Sequence, residues 1–180
     1  MIAFPPTSRG RVEEFLTCPV KMGGSIGYAY SLTKNSDNAK DLVQEAIFKA
    51  WKSAESYDSN VEIKTWFYTI IRNTFLDGLK KRKFRKEDQI VRDREVLEQI
   101  PTDCDPVEIL MARERTESVR KAIENLALPY RIRIVMHDFE GISYEEIAII
   151  LGNSRNDASH KVKEAREKLR QDKNLASLVA

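Results

Sequence analysis

Asp37-Asn38-Ala39-Lys40-Asp41-Leu42-Val43-Gln44-Glu45-Ala46-Ile47-Phe48-Lys49-Ala50-Trp51 reads as one amphipathic helix, and its pattern sets the fold class. At 3.6 residues per turn, Ala39, Val43, Ala46, Ile47 and Ala50 share the side expected to face a core. Asp41, Gln44, Glu45 and Phe48 follow at i, i+3, i+4 and i+7 on the opposite side. An acidic and amide row holding a phenylalanine is either ordinary solvated surface or a dock for a basic partner around an apolar anchor. The same three- and four-residue apolar spacing recurs along the chain, whereas period-two alternation is short-lived. The expected fold is all-α, with two small helical domains.

Working outward, the turn formers of Tyr57-Asp58-Ser59-Asn60-Val61 predict a loop. A helix is expected from about Lys64 to Arg82, with Phe67, Ile70, Ile71 and Thr74 as its core stripe. Tyr68, Arg72, Phe75 and Leu79 form a second stripe, and Trp66 and Asn73 are expected elsewhere on the surface. The helix runs into Lys80-Lys81-Arg82-Lys83-Phe84-Arg85-Lys86, where six of seven residues are cationic. Such a cluster repels itself and points to an anionic partner. Aromatics beside cations suit single-stranded DNA, with rings stacking on bases and cations neutralising phosphates. Tyr68 and Phe75 read equally well as completion of the core. Upstream, Pro19 and Gly23-Gly24 are expected to break or shorten the first helix.

Between Glu87 and Glu108 there are eight acidic residues against two arginines, and Pro101 and Pro106 interrupt any helix. Residues 87–109 are therefore expected to be an acidic linker between domains at 11–86 and 110–172. In the second domain, Val119, Ile123 and Leu126 share a helix face, and Ile132, Val135, Met136 and Phe139 form the next stripe. Ser143-Tyr144-Glu145-Glu146 has the pattern of a capping box, and Gly152 suits the helix C-terminus. A second cap pattern, Ser154 to Asp157, opens a helix with Ala158, Val162, Ala165 and Leu169 inward. Two short helices about a glycine turn make either a DNA-reading helix-turn-helix or a hairpin packed for stability alone. In the first case Asn156, Ser159, His160 and Lys163 face the major groove.

The net charge of +2 shows no global basicity, so any nucleic-acid signal lies in how the charge is distributed. Cys18 and Cys104 stand in no metal-ligand spacing and suit free thiols in a reducing compartment. No apolar run reaches the roughly 18 residues of a membrane span, and residues 1–10 lack the apolar core of a signal peptide. A cytoplasmic protein without a membrane segment is expected. The histidines are His137 and His160, there is no glycine-rich phosphate loop, and a lone His137-Asp138 pair reads as structural. Neither enzyme chemistry nor a cofactor is expected.

The order Asn38 to Trp51, then Lys64-Thr65-Trp66-Phe67-Tyr68-Thr69-Ile70-Ile71-Arg72-Asn73, resembles region two of the extracytoplasmic-function (ECF) sigma factors of the sigma-70 family. Glu140-Gly141-Ile142-Ser143-Tyr144-Glu145-Glu146-Ile147-Ala148-Ile149-Ile150-Leu151-Gly152, with Ala165-Arg166-Glu167-Lys168-Leu169, is similar to region four of the same family. The resemblance implies a transcription initiation factor that joins core RNA polymerase and recognises and melts promoter DNA, under the control of an anti-sigma factor. It implies that Asp41, Gln44, Glu45 and Phe48 meet the β′ clamp helices, with the β flap as a further polymerase contact. It further implies that Lys64, Trp66, Arg72 and Asn73, with the loop at 58–63, hold the melted minus-ten element, while Lys80, Lys81 and Arg82 track phosphates. Arg155, Asn156, Ser159, His160, Lys161 and Lys163 would read the minus-thirty-five duplex.

The recognition helix departs from the family wording S-x-G-T-V-K-S-R. Asp157 stands where a phosphate-friendly threonine is usual, and Ser159 replaces a lysine. A charge at Asp157 would oppose phosphate while capping the helix. The alternative is a sigma-like decoy or adaptor, which binds polymerase or an anti-sigma factor without reading DNA.

Overall fold

A computed structural model describes residues 7–85 and 117–172. The expected acidic linker, Lys86 and Cys104 lie outside the described residues, as do the side chains of residues 82–85. Every regular element among the described residues is helical.

The N-terminal half is built from α1 (Ser8–Thr17), α2 (Pro19–Thr33), α3 (Ser36–Lys52) and α4 (Ile63–Arg85). Thr7 caps α1 by accepting from the Gly10 amide, and the helix stops at Cys18. Pro19 then opens α2 at its first turn, where a missing N–H costs nothing. The expected break therefore falls at Cys18–Pro19. The glycine pair does not break the helix: Gly23 and Gly24 both lie within α2. Lys34 ends α2 in a left-handed conformation (φ 54°), and the Asn35 side chain caps α3 by accepting from the Asn38 amide.

Ala39, Val43, Ala46 and Ala50 are buried as the α3 periodicity predicts, joined by Leu42, while Ile47 is half-buried. A short 3₁₀ turn, Ala54–Ser56, leads into the expected loop. In α4, Phe67, Ile71 and Thr74 are buried and Ile70 is half-buried. Phe15 meets Phe67 edge-on at 5.6 Å, and Tyr28 stacks on Tyr68 at 4.7 Å. A large apolar side chain buried to this degree contributes about 1.5–3 kcal/mol.

The C-terminal half comprises α5 (helical over 117–125), α6 (Leu128–Ile134), α7 (Tyr144–Leu151) and α8 (Arg155–Arg170). Pro129 lies in the first turn of α6, so it starts a helix rather than merely ending the previous one. A wide π turn over Val135–Phe139 follows, closed by the Glu140 amide on the Val135 carbonyl at 3.1 Å. The extra residue rotates the expected stripe. Ile132 and Met136 stay buried and Ile134 joins them, but Phe139 turns out to 60% exposure. The Ser143–Glu146 capping box forms with both of its reciprocal bonds, and Gly152 closes α7 at φ 65°. Ser154 caps α8 by accepting from the Asp157 amide, and Ala158, Val162 and Ala165 face inward.

The halves share one apolar core. Phe15, Tyr28, Phe67, Tyr68 and Ile71 belong to the same buried cluster as Ile132, Met136, Ile142, Ile147, Ile150 and Ala158. Polar contacts flank it. The buried Arg131 guanidinium donates to the Ser31 carbonyl at 2.6 Å and to the Leu126 carbonyl at 2.9 Å, tying the end of α2 to the α5–α6 turn. Burial pulls its pKa below the usual arginine value. Nearby, Tyr30 donates to Glu124 at 2.7 Å.

Candidate nucleic-acid interface

Three surfaces follow from the way these helices pack. The first is the outer face of α3. Because its alanine side is buried, Asp41, Gln44, Glu45 and Phe48 stand exposed together on the opposite side, Phe48 at 55%. Lys52 lies 4.3 Å from the centre of the Phe48 ring, and Lys49 pairs with Glu45 at 3.3 Å and with Asp77 at 3.7 Å. Trp51, one turn beyond Phe48, is 50% exposed under the Arg9 guanidinium. The sequence reading missed Trp51, although an aromatic three residues after Phe48 continues the same face.

The second surface runs along α4. Asn73, Lys80 and Lys81 are exposed; Lys64, Trp66 and Arg72 are half-buried. Trp66 is not free surface as expected. It packs against Tyr57 at 5.1 Å between ring centres and joins the small cluster of Val12, Ala54 and Tyr57, because the loop at 57–61 folds back over the start of α4. Tyr57 helps hold that loop by donating its hydroxyl to the Val61 carbonyl at 2.7 Å. Tyr68 is fully buried and Phe75 packs at the core edge, so in this conformation both complete the core. Burial and the neighbouring Glu140 charge push the Tyr68 hydroxyl well above its ordinary pKa.

Lys64 is engaged across the joint between the halves. Its ammonium donates to the Glu140 carbonyl at 2.7 Å and lies 3.3 Å from a Glu140 carboxylate oxygen, which also accepts from the Tyr68 hydroxyl at 3.0 Å. Thr65 donates to Glu146 at 2.9 Å. Burial alone would raise the Glu146 pKa, but the Ser143 hydroxyl and amide, Thr65 and the Lys64 charge outweigh it and hold the carboxyl low. Glu140 and Thr65 lay inside recognised motifs, yet nothing in their spacing marked them as partners across the joint.

The third surface is the outer face of α8. Asn156, His160 and Lys163 are exposed on one side and Ser159 is half-exposed between them. Arg155 is exposed and ion-paired with Glu145. Lys161 leaves that face and sits 5.3 Å from the centre of the Tyr130 ring. The Asp157 side chain is 37% exposed, but its carboxylate already has protein partners. Its carboxylate accepts from the buried Arg133 at 2.7 Å and from Asn153 at 2.9 Å. Asp157 thus serves as counter-ion to Arg133.

His137 donates through Nδ1–H to the Ile142 carbonyl (2.9 Å) and stacks on Tyr144, while Asp138 accepts from Arg166 at 2.5 Å and 3.0 Å. These are structural contacts. Among the described residues, no three His, Cys, Asp or Glu side chains are grouped to hold a metal ion, and no helix is long and apolar enough to cross a membrane.

A helical body with an exposed acidic-aromatic α3 face, a cation-bearing α4 and a helix-turn-helix defines a class of initiation factor. Residues 25–85 match Sigma-70 region 2, and residues 116–169 match Sigma-70, region 4. The chain is 34% identical to RNA polymerase sigma factor SigV of Bacillus subtilis over 128 residues, covering 71% of each. It is 30% identical to ECF RNA polymerase sigma factor EcfG of Rhodopseudomonas palustris, over 79% of this chain and 75% of that one. The fold is similar to that of the sigma factor RpoE of Bartonella quintana, solved in complex with the anti-sigma factor NepR. That match has a TM-score of 0.66 at 26% identity and covers 83% of this chain and 89% of the other. The fold is also shared with CnrH, solved with the cytosolic domain of CnrY, at a TM-score of 0.58 and 19% identity. The chain belongs to the ECF sigma factors of the sigma-70 family. It is an alternative sigma factor for transcription initiation.

Proposed function

We propose that the chain joins core RNA polymerase and opens promoter DNA through three separate surfaces. Asp41, Gln44, Glu45 and Phe48 dock on the β′ clamp helices, with Phe48 as the apolar anchor inside a polar row. Lys64, Trp66, Arg72 and Asn73 hold the melted minus-ten strand, and Lys80, Lys81 and Arg82 follow its phosphates. Asn156, Ser159, His160 and Lys163, flanked by Arg155 and Lys161, read the minus-thirty-five duplex, while the same half rests on the β flap. The working units are 11–86 and 110–172, joined by the acidic stretch 87–109. The chain supplies no catalytic group or cofactor of its own, and it works in the cytoplasm.

The observation that carries this reading is the presence, in one chain and in the family's order, of both regions with their outer faces exposed: Asp41 to Phe48 on α3 and Asn156 to Lys163 on α8. A similar sigma factor solved with an anti-sigma factor supports a protein inhibitor as a further partner. A decoy that ignores DNA is less well supported, since the charge of Asp157 is spent on Arg133 rather than aimed at phosphate.

Run-off transcription with bacterial core enzyme on a pool of promoters tests the proposal. Discrete transcripts that need the chain are expected. Binding to core without any transcript would favour the decoy.

A further inference from the structure

Gly24 sits in the body of α2, where alanine would favour the helix. A Cβ placed on it would stand 1.4 Å from Glu140 Oε2 and 2.2 Å from the carboxyl carbon. The missing side chain is therefore what lets the Glu140 carboxylate seat against α2. The other walls of the seat come from α4: the Tyr68 hydroxyl at 3.0 Å and the Lys64 ammonium at 3.3 Å. The Glu140 side chain is only 13% exposed there. In the first turn of α7 a second acid, Glu146, takes the Thr65 hydroxyl. Two carboxylates of the C-terminal half thus lie on the α4 turn that begins the DNA-holding surface.

This joint has to open for both promoter elements to be read. Elements about twenty-five base pairs apart lie about 85 Å apart on B-DNA at about 3.4 Å per pair. Here α4 and α7 pack directly on each other. We propose that Glu140 is an internal DNA mimic: its carboxylate occupies the anion position on Lys64 and Tyr68 and latches the two halves closed, with Gly24 as the notch that receives it. The latch rests on the reading of Lys64 as a DNA contact. It withholds the Lys64 end of α4 from DNA in the free chain. Engagement of the polymerase, which holds the halves apart, exchanges the carboxylate for nucleic acid. The apparent affinity of a latched chain is lowered by the fraction of it that is open.

The test uses the full chain with Gly24→Ala, which crowds the carboxylate out of its seat, and Glu140→Lys, which sets a cation against Lys64. Small-angle scattering reads opening, and anisotropy of a labelled single-stranded DNA of mixed sequence reads access to α4. Both variants should expand relative to wild type and bind the DNA at least about tenfold more tightly, Glu140→Lys the more so, with helicity by circular dichroism retained. Variants that remain as compact as wild type, with unchanged DNA affinity, would overturn the latch. Expansion without any gain in DNA affinity would overturn the mimicry. Wild-type holoenzyme tested in parallel for promoter opening separates that failure from failure of the wider DNA-binding reading, because a chain held open by polymerase does not depend on the latch.

Discussion

The Lys64 ammonium touches Glu140 twice, at the backbone carbonyl (2.7 Å) and at the carboxylate (3.3 Å), across 76 residues of sequence. This contact links the first turn of α4 to the end of the π turn, so the N-terminal and C-terminal halves cannot be treated as independent bodies in this conformation. The side chains that join them include ones proposed to meet DNA. Residues away from the joint therefore make cleaner tests of each surface.

Lys80 and Lys81 are such residues, exposed and distant in sequence from the packed start of α4. Replacing Lys80, Lys81 and Arg82 with alanine should leave folding intact and weaken holoenzyme binding to promoter DNA. Three lost phosphate contacts should flatten the slope of log affinity against log salt by about 2, at about 0.7 per single-strand contact. A salt titration by filter binding checks it; an unchanged slope would move the DNA path elsewhere.

Asp41 and Glu45 are exposed, and Glu45 pairs with the half-exposed Lys49. Charge reversal with Asp41→Lys and Glu45→Lys should leave the melting temperature within a few degrees, since changes to exposed residues usually cost under about 0.5 kcal/mol. Affinity for core polymerase should fall at least about tenfold, because like charges opposed across an interface cost several kcal/mol. Competition against a labelled sigma factor measures it.

Asp157 offers the opposite result. Substituting the threonine usual in the family would leave Arg133, 8% exposed at its side chain, without its carboxylate partner. Asp157→Thr should destabilise the chain by about 1–3 kcal/mol, the cost of an unsatisfied buried donor. Urea denaturation reads this directly, and stabilisation by the threonine would restore Asp157 to the DNA-facing surface.

Glu146 contributes to the acid limit of the closed form. Its carboxyl is held below its ordinary value near 4.5, so its contribution is complete above that pH and is lost as pH falls through the lower folded value. Thermal melts from about pH 6 to pH 3 should show Glu146→Gln losing less stability on acidification than wild type. Parallel curves would mean that other carboxylates set the limit.

The amphipathic row of α3, the capping box of α7 and the Gly152 turn could be read from the sequence because each is fixed by residues within one or two turns of one another. The same local logic placed Asn156, His160 and Lys163 on one outer face. Features set by distant contacts could not be read so. Gly23-Gly24 looked like a helix breaker because the residue that makes use of Gly24 is Glu140, in the other half. Trp66 looked exposed because nothing local shows the 57–61 loop folding onto it. The π turn at Val135–Phe139 has no compositional mark, so Phe139 was assigned inward. Asp157 was read against the family's threonine, while its partner Arg133 lies 24 residues upstream.

Binding of the purified chain to bacterial core RNA polymerase, with no inhibitor present, is the deciding measurement. A one-to-one complex is expected to survive gel filtration at low micromolar concentration, and Asp41→Lys with Glu45→Lys to dissociate it. Separate elution of the wild-type chain and the core enzyme under those conditions would contradict this expectation.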